Sequence, residues 1–127
     1  MHKIYITGIA GFIGFHLAEK LAMEGYEVGG MDNFNSYYDP QLKRDRQQIL
    51  KEKFGISIDP YSLDTQFGGA LNLLNEHIVH DYDAVIHLAA YAGVRHSLKY
   101  PQPYIDNNIT GTQQLITKCE ELEIPVL

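Results

Sequence analysis

Two kinds of hydrophobic pattern follow each other at the start of the chain. A short apolar run with β-branched residues, Ile4 to Ile6, predicts a strand. A glycine-containing turn comes next, and the apolar positions Ile13, Leu17 and Leu21 then recur every four residues, which predicts an amphipathic helix. The chain therefore opens with a strand, a tight turn and a helix.

The alternation of strand and helix continues to the last residue. Apolar runs predict further strands at residues 26–31, 56–58 and 82–88, and a strand that has only begun at 124–127. Helical spacing predicts a charged helix at 41–53, one marked by apolar positions between 67 and 78, and one that starts near Pro101 or Pro103. Because strict alternation implies a parallel sheet with right-handed crossovers, we predict an α/β, doubly wound sheet in the order 3-2-1-4, with the partial fifth strand beside the fourth.

The helical spacing also predicts which side chains face the sheet. In the charged helix these are Leu42, Ile49 and Leu50, with Lys43, Arg44, Asp45 and Arg46 in solvent. In the last helix they are Ile105, Ile109, Thr112, Leu115, Ile116 and Cys119. Gly29 and Gly30 are poor strand residues, so we expect another group to pack closely against them.

Three glycines and one acid are the residues with candidate chemistry. Gly8 permits a sharp turn after the strand, Gly11 permits close approach of a pyrophosphate, and Gly14 permits close packing of the helix. A glycine turn alone often only connects two elements, but Asp32 follows the second strand, where a carboxylate can accept hydrogen bonds from a ribose diol. The combination favours dinucleotide binding. Since Asp32 would repel a 2′-phosphate and no Arg or Lys stands between it and Lys43, NAD is predicted over NADP.

Composition disfavours several other classes of protein. The chain has 127 residues, with 10 Lys and Arg against 16 Asp and Glu, and no basic run is interleaved with aromatics, so neither nucleic acid nor an anionic membrane is an expected partner. No apolar run approaches the roughly 20 residues of a membrane span. The lone Cys119 and the absence of a signal-peptide pattern predict a cytoplasmic protein, and the spacing of the six histidines predicts no metal site.

Three segments carry a resemblance to a known family. TGIAGFIG at 7–14, DNFNSYYDP at 32–40 and HLAAYAGVRHSLKYPQPYIDNNITGT at 87–112 resemble the extended short-chain dehydrogenase/reductases. Within that family they are most similar to the NAD-dependent nucleotide-sugar epimerases, UDP-glucuronate 4-epimerases in particular. The resemblance implies that residues 1–127 are the N-terminal part of a Rossmann-type NAD-binding domain. It also implies a nucleotide-sugar substrate, a transient 4-keto sugar and a homodimeric parent.

The resemblance assigns site residues by position. It places at the pyrophosphate turn Gly8, Gly11, Phe12, Ile13 and Gly14, and around the adenosine ribose Asp32, Asn33, Asn35 and Ser36. It places along the nicotinamide half Leu88, Ala89, Ala90, Tyr91, Ala92 and Asn107, and on the substrate side Arg95 and Ser97. Where the family has an acid near the adenine amine, this chain offers either Ser62 or Asp64.

Packing offers a second interpretation for some of these residues. Asn107 and Asn108 could simply satisfy backbone groups, Phe12 and Tyr91 suit packing positions, and His87 in a buried strand suits a hydrogen-bonded core position.

The catalytic dyad that the resemblance implies, Tyr-x-x-x-Lys, is missing from these residues. None of the nine tyrosines has Lys four positions on, and Tyr91 with Arg95 falls after strand four rather than on the helix after strand five. We therefore expect the dyad and the substrate domain to lie beyond Leu127 and the chain alone to be inactive. Two alternatives stay open, a fragment of a related dehydratase or reductase and a non-catalytic NAD-binding module.

Overall fold

The computed structural model describes residues 2–63 and 79–127. In this part of the chain, four parallel strands form one sheet. The strands are β1 (Lys3–Thr7), β2 (Glu27–Met31), β3 (Ile58–Asp59) and β4 (Ala84–His87). They lie in the order β3-β2-β1-β4, and each pairing is parallel. The predicted doubly wound α/β sheet and its strand order are therefore confirmed.

Helices follow each of the first two strands and the last one. Their bounds are α1 (Phe12–Met23), α2 (Pro40–Phe54), α3 (Val94–Lys99), α4 (Gln102–Tyr104), a π-helical segment (Ile105–Gly111) and α5 (Thr112–Glu121), with a 3₁₀ turn at Val79–Asp81. The helix α3 was not predicted, because six residues are too few to show a hydrophobic period. The helix predicted between residues 67 and 78 lies outside the described residues.

Local chemistry explains the ends of α2. The helix begins at Pro40, which suits the first turn because proline has no N–H group that would lack an acceptor there. The Asp39 side chain accepts a hydrogen bond from the Gln41 N–H at 2.9 Å. It ends at Gly55, whose φ of 67° is the left-handed conformation that a side chain disfavours.

The carboxyl ends of the strands lie level at one edge of the sheet. Thr7 pairs with Met31 on one side and with His87 on the other, and Met31 pairs with Asp59. The chain moves outward from β1 through β2 and β3 and then returns to place β4 on the opposite side of β1. Ligands of such sheets lie outside this reversal, so the edge near Thr7 is where a site is expected.

The last residues begin a fifth strand beside β4. Val126 forms a parallel bridge with Val85, the Val85 N–H donates to the Pro125 carbonyl at 2.9 Å, and the Leu127 N–H donates to the Val85 carbonyl at 2.9 Å. The predicted partial strand next to the fourth is confirmed.

Both faces of the sheet are covered by apolar side chains. Successive strand residues point to opposite faces, so Tyr5 and Ile6 belong to different clusters. The first cluster joins the sheet to α5 and contains Tyr5, Met31, Leu63, Val85, Leu115 and Cys119. The second joins it to α1 and α2 and contains Ile6, Ile9, Ala10, Phe15, Ala18, Val28, Leu50, Ile56 and Ile58.

The predicted inner face of α2 is partly wrong. Leu50 is fully buried as expected, but Leu42 is 51% exposed and Ile49 is 37% exposed. Lys43 and Arg46, expected in solvent, are instead partly buried and contact the carboxyl edge of the sheet. Polar residues occupy the inner face at the end nearest the site, so the hydrophobic period identified the wrong side there.

The predicted inner face of the last helical stretch is right for Leu115 and Cys119 and wrong for the three isoleucines. Ile105, Ile109 and Ile116 were expected inside, yet they are 42%, 65% and 49% exposed. The buried positions recur every four residues and are Asn107, Gly111, Leu115 and Cys119. Two of these four are polar or lack a side chain, so they gave no hydrophobic signal.

The two strand glycines have close neighbours, as predicted. A Cβ added at Gly29 would lie 2.1 Å from the Tyr82 hydroxyl, and one at Gly30 would lie 2.3 Å from the Ile6 carbonyl oxygen. Larger residues would therefore collide with a side chain at the first position and with the adjacent strand at the second.

Candidate functional site

The turn between β1 and α1 contacts the end of β4 at the carboxyl edge. Gly8 has a φ of +74°, and a Cβ added there would lie 2.9 Å from the Ala89 nitrogen. A Cβ at Gly14 would lie 2.2 Å from the Gly8 carbonyl oxygen, so α1 packs directly on the turn. Gly11 precedes α1 and differs from both, because an added Cβ would meet only the Gly8 oxygen, at 3.2 Å. Gly8 and Gly14 are therefore needed for the close packing of the turn against β4 and α1. Gly11 has more space around it and lines the cavities described below.

Asp32 joins three segments around this turn. Its side chain lies at the end of β2 and the residue is only 3% exposed. One oxygen, Oδ2, accepts a hydrogen bond from the Ala10 N–H at 3.1 Å. The other, Oδ1, accepts from the Phe34 N–H at 2.9 Å and from the Lys43 ammonium at 3.0 Å. The carboxylate is thus held in one orientation by the turn, by its own loop and by α2.

The loop after β2 is held by side-chain amides. Asn33 Oδ1 accepts from the Asn35 N–H at 3.1 Å, and Asn33 Nδ2 lies 3.4 Å from the Ser62 hydroxyl. The loop therefore contacts the segment after β3, where the sequence offered Ser62 as one of two residues near the adenine.

The end of β4 is fixed by an asparagine of the π-helical segment. Asn108 Oδ1 accepts from the Tyr91 N–H at 2.7 Å, and Asn108 Nδ2 donates to the Tyr91 carbonyl at 3.1 Å. The Tyr104 hydroxyl donates to the Ala92 carbonyl at 2.8 Å. Asn107 donates to Asn108 at 3.1 Å and is itself 4% exposed. The packing interpretation therefore holds for Asn108, which satisfies backbone groups of the loop rather than of its own helix.

His87 is half-buried and has a hydrogen-bond partner at each ring nitrogen. Its Nδ1 lies 2.6 Å from Thr7 Oγ1 and its Nε2 lies 2.8 Å from Thr112 Oγ1. Thr7 Oγ1 also accepts the N–H groups of Leu88 and Ala89, both at 3.1 Å, so its own proton is directed to Nδ1 and the ring proton belongs on Nε2. Burial lowers the pKa of His87 below its ordinary value. The ring is therefore neutral and joins β1, β4 and α5.

Two adjoining cavities lie at this edge. The larger, of about 350 Å³, is lined by Gly11, Phe12, Asn35, Tyr37, Tyr38, Asp39, Leu42, Lys43, Arg46, Ala90 and Ala92. The smaller, of about 90 Å³, is lined by Gly8, Gly11, Met31, Asp32, Asn33, Asn35, Lys43, Tyr61, Ser62, Leu63, Leu88, Ala89, Ala90 and Asn107. Residues from the glycine turn, the Asp32 loop and the end of β4 thus meet around one space.

Several predicted site residues lie elsewhere. Ile13 is 65% exposed at the start of α1, while Gly14 packs beneath the turn. Ser36 and Tyr91 line a recess together with Asn33, Asn35 and Ser62, which also line the smaller cavity. They line a second recess together with His96. Arg95 is exposed on α3, and the Ser97 hydroxyl donates to the Val94 carbonyl of the same helix, so neither lines the two cavities. Asp64 lies outside the described residues.

Comparison with known proteins identifies the family to which this chain belongs. The chain matches the NAD dependent epimerase/dehydratase family over residues 4–127. It belongs to that family. Members use NAD, and the residues present here fit that cofactor, because Gly11, which directly precedes α1, lines the same cavity as the fixed Asp32 carboxylate.

Several of the similar proteins are UDP-glucuronate 4-epimerases. The chain is 39% identical over 118 residues to UDP-glucuronate 4-epimerase 3 of Arabidopsis thaliana, covering 93% of this chain and 26% of that protein. It is 42% identical over 122 residues to UDP-glucuronate 4-epimerase of Thermodesulfobacterium geofontis, covering 96% and 36%. The crystal structure of UDP-glucuronic acid 4-epimerase from Bacillus cereus with UDP-glucuronic acid and NAD has a TM-score of 0.80 and 38% identity, covering 98% of this chain and 37% of that one. The chain thus spans about a quarter to a third of the length of these relatives.

Among the described residues, no helix has the length and apolar character of a membrane span. Within the same parts of the chain, no group of three His, Cys, Asp or Glu side chains is arranged to hold a metal ion.

The sequence analysis missed Lys43 and Arg46 as site residues of this epimerase/dehydratase-family domain. Arg46 Nη1 donates to the Ala10 carbonyl at 3.0 Å, one residue before the cavity-lining Gly11. The available signal was their spacing, because residues three apart on a helix share a face, and both cations sit on the side that Leu50 buries.

Proposed function

We propose that this chain is the cofactor-binding part of a nucleotide-sugar 4-epimerase whose substrate is a UDP-hexose or UDP-uronate, with UDP-glucuronate favoured. The observation that carries the proposal is the meeting of the glycine turn, Asp32 and the end of β4 around one space at the carboxyl edge. The identity of 39–42% to UDP-glucuronate 4-epimerases supports the choice of sugar.

The chemistry proposed for the whole protein is inversion at the sugar C4 through a transient 4-keto sugar. Bound NAD would supply the hydride acceptor and donor for this reaction. This chain would contribute binding and orientation. The backbone of Gly8 and Gly11, with the N-terminus of α1, would hold the pyrophosphate, Asp32 the adenosine ribose, and residues 88–92 with Asn107 the nicotinamide half.

Arg95 and Ser97 are proposed to face the sugar in the whole protein. They lie on α3, directly after the loop that Asn108 and Tyr104 fix, so their position depends on the end of β4. A guanidinium suits a carboxylate or a diphosphate because it can donate two parallel hydrogen bonds.

The 127 residues alone are proposed to bind NAD without epimerising a sugar. Proton transfer needs a base within hydrogen-bond reach, and no Tyr in this sequence is followed by Lys at the fourth position. A cytoplasmic location and a homodimeric whole protein are also proposed. The lone cysteine supports the first, and the exposed Ile105, Ile109 and Ile116 support the second.

Two measurements test the proposal. Calorimetry should detect NAD binding by this chain, and Gly11→Val, which fills the space beside the turn, should weaken it. The same chain, shown by mass to end at Leu127, should yield no galacturonate epimer from NAD and UDP-glucuronate above a control without protein.

The full-length protein should interconvert the two UDP-uronates under the same conditions. A product lighter by one water would favour a dehydratase instead. A folded chain that binds no NAD would contradict the cofactor assignment.

A further inference from the structure

We infer that Lys43 sets the discrimination between NAD and NADP together with Asp32, by supplying a counter-charge where a 2′-phosphate would lie. The inference rests on the proposed cofactor site. It alters the expectation drawn from the sequence, in which Asp32 faced the ribose without a nearby cation.

The first observation is that the Asp32 carboxylate is not a bare negative charge. The Lys43 ammonium lies 3.0 Å from Oδ1, and the side chains of the pair are 16% and 3% exposed, respectively. The same oxygen accepts the Phe34 N–H and the other accepts the Ala10 N–H. An incoming ribose therefore meets a carboxylate whose charge is already compensated.

The second observation is the position of Lys43 relative to the cavities. Lys43 lines both of them, as do Gly11, Asn35 and Ala90, whereas Asp32 lines only the smaller. Arg46 lies one turn further along α2 and borders the larger cavity. A group attached to a ribose at Asp32 would thus be within reach of the Lys43 ammonium. The nearest further carboxylate of the lining, Asp39, is engaged in capping α2.

The charges of Asp32 and Lys43 act on a nearby phosphate in opposite directions. A carboxylate and an ammonium at comparable distances from a phosphate act on it with opposite and nearly equal energies, so the repulsion that Asp32 alone would impose is largely cancelled. Discrimination against the 2′-phosphate should therefore be weaker than the acid alone predicts. It should increase when the cation is removed, and reverse when only the acid is neutralised.

The experiment measures dissociation constants of NAD and NADP, and of 5′-AMP and adenosine 2′,5′-bisphosphate, for this chain by calorimetry. The second pair of ligands differs only in the 2′-phosphate. Lys43→Met should raise the ratio of the NADP to the NAD dissociation constant about 10-fold or more, the effect of one charge-assisted hydrogen bond. Lys51→Met is the matched control, since it removes the same charge from an exposed position of α2 and should change the ratio by less than about 2-fold.

Two further variants separate this role from a merely structural ion pair. Lys43→Arg keeps the charge and should keep the ratio near that of the unsubstituted chain. Asp32→Asn keeps Lys43 and should make NADP bind at least as tightly as NAD, and it decides the matter if Lys43→Met does not fold.

An unchanged ratio in folded Lys43→Met, or continued rejection of NADP by Asp32→Asn, would overturn the inference while leaving the proposed function intact. Failure of the unsubstituted chain to bind either dinucleotide would overturn both.

Discussion

The Asn108 side chain should stabilise the loop after β4, and its removal should be measurable in this chain. Asn108→Ala deletes two hydrogen bonds to the Tyr91 backbone, of 2.7 and 3.1 Å, together with the contact to Asn107. A typical intramolecular hydrogen bond contributes about 1 kcal/mol net, and Tyr91 is only partly buried, so water can replace part of the loss. We expect a loss of about 2 kcal/mol in the free energy of unfolding, which for 127 residues lowers Tm by roughly 7 °C.

Thermal unfolding followed by circular dichroism measures the global effect, and amide hydrogen exchange measures the local one. The Tyr91 N–H should exchange faster in the variant, because its acceptor is the deleted oxygen. Gln113→Ala is the matched control, since it deletes an exposed amide of α5 that donates a hydrogen bond to Thr117, and it should change stability by less than about 0.5 kcal/mol. An unchanged Tm together with unchanged exchange at Tyr91 would refute the proposed role of Asn108.

Three further outcomes can be measured. Gly30→Ala should lower the free energy of unfolding by about 3 kcal/mol or more, because its Cβ would overlap the Ile6 carbonyl oxygen. Gly29→Ala should lower it less, since the Tyr82 hydroxyl that its Cβ would meet is the end of a side chain and can move. Urea unfolding of the two variants measures the difference. The neutral, half-buried His87 should make stability fall as pH drops below about 6.5, because the unfolded chain then gains its proton more readily than the folded chain. Melting between about pH 7.5 and 5 should show a flatter profile for His87→Gln. In the full-length protein, Arg95→Ala should lower kcat/KM for UDP-glucuronate about 10-fold or more, and unchanged kinetics would remove Arg95 from the sugar site.

The sequence predicted the sheet well because the strands are short apolar runs between glycines and acids. The order of the strands follows from alternation with helices, and the meeting of Gly8, Asp32 and Ala89 follows from that order. None of these inferences requires knowledge of how a side chain is oriented.

Helix faces were predicted less well, and the errors lie near the site. A hydrophobic period identifies the inner face only where that face is apolar. On α2 the inner positions nearest the carboxyl edge are Lys43 and Arg46, which bond to Asp32 and to the Ala10 carbonyl. In the π-helical segment the inner positions are Asn107 and Gly111. Residues that serve the site therefore displaced the apolar residues on which the prediction relied.

The π-helical segment links these errors to a structural cause. Asn107 is buried beside the smaller cavity, while the adjacent Asn108 contacts the Tyr91 backbone from the same turn. Two consecutive residues of this widened turn thus serve the same end of β4. Gly111 ends the segment, and a Cβ there would lie 2.6 Å from the Leu63 carbonyl, so the helix can approach the segment after β3 only at a residue without a side chain. The irregular turn and the glycine thus place the amides at the site, and a sequence pattern based on regular helices cannot predict either.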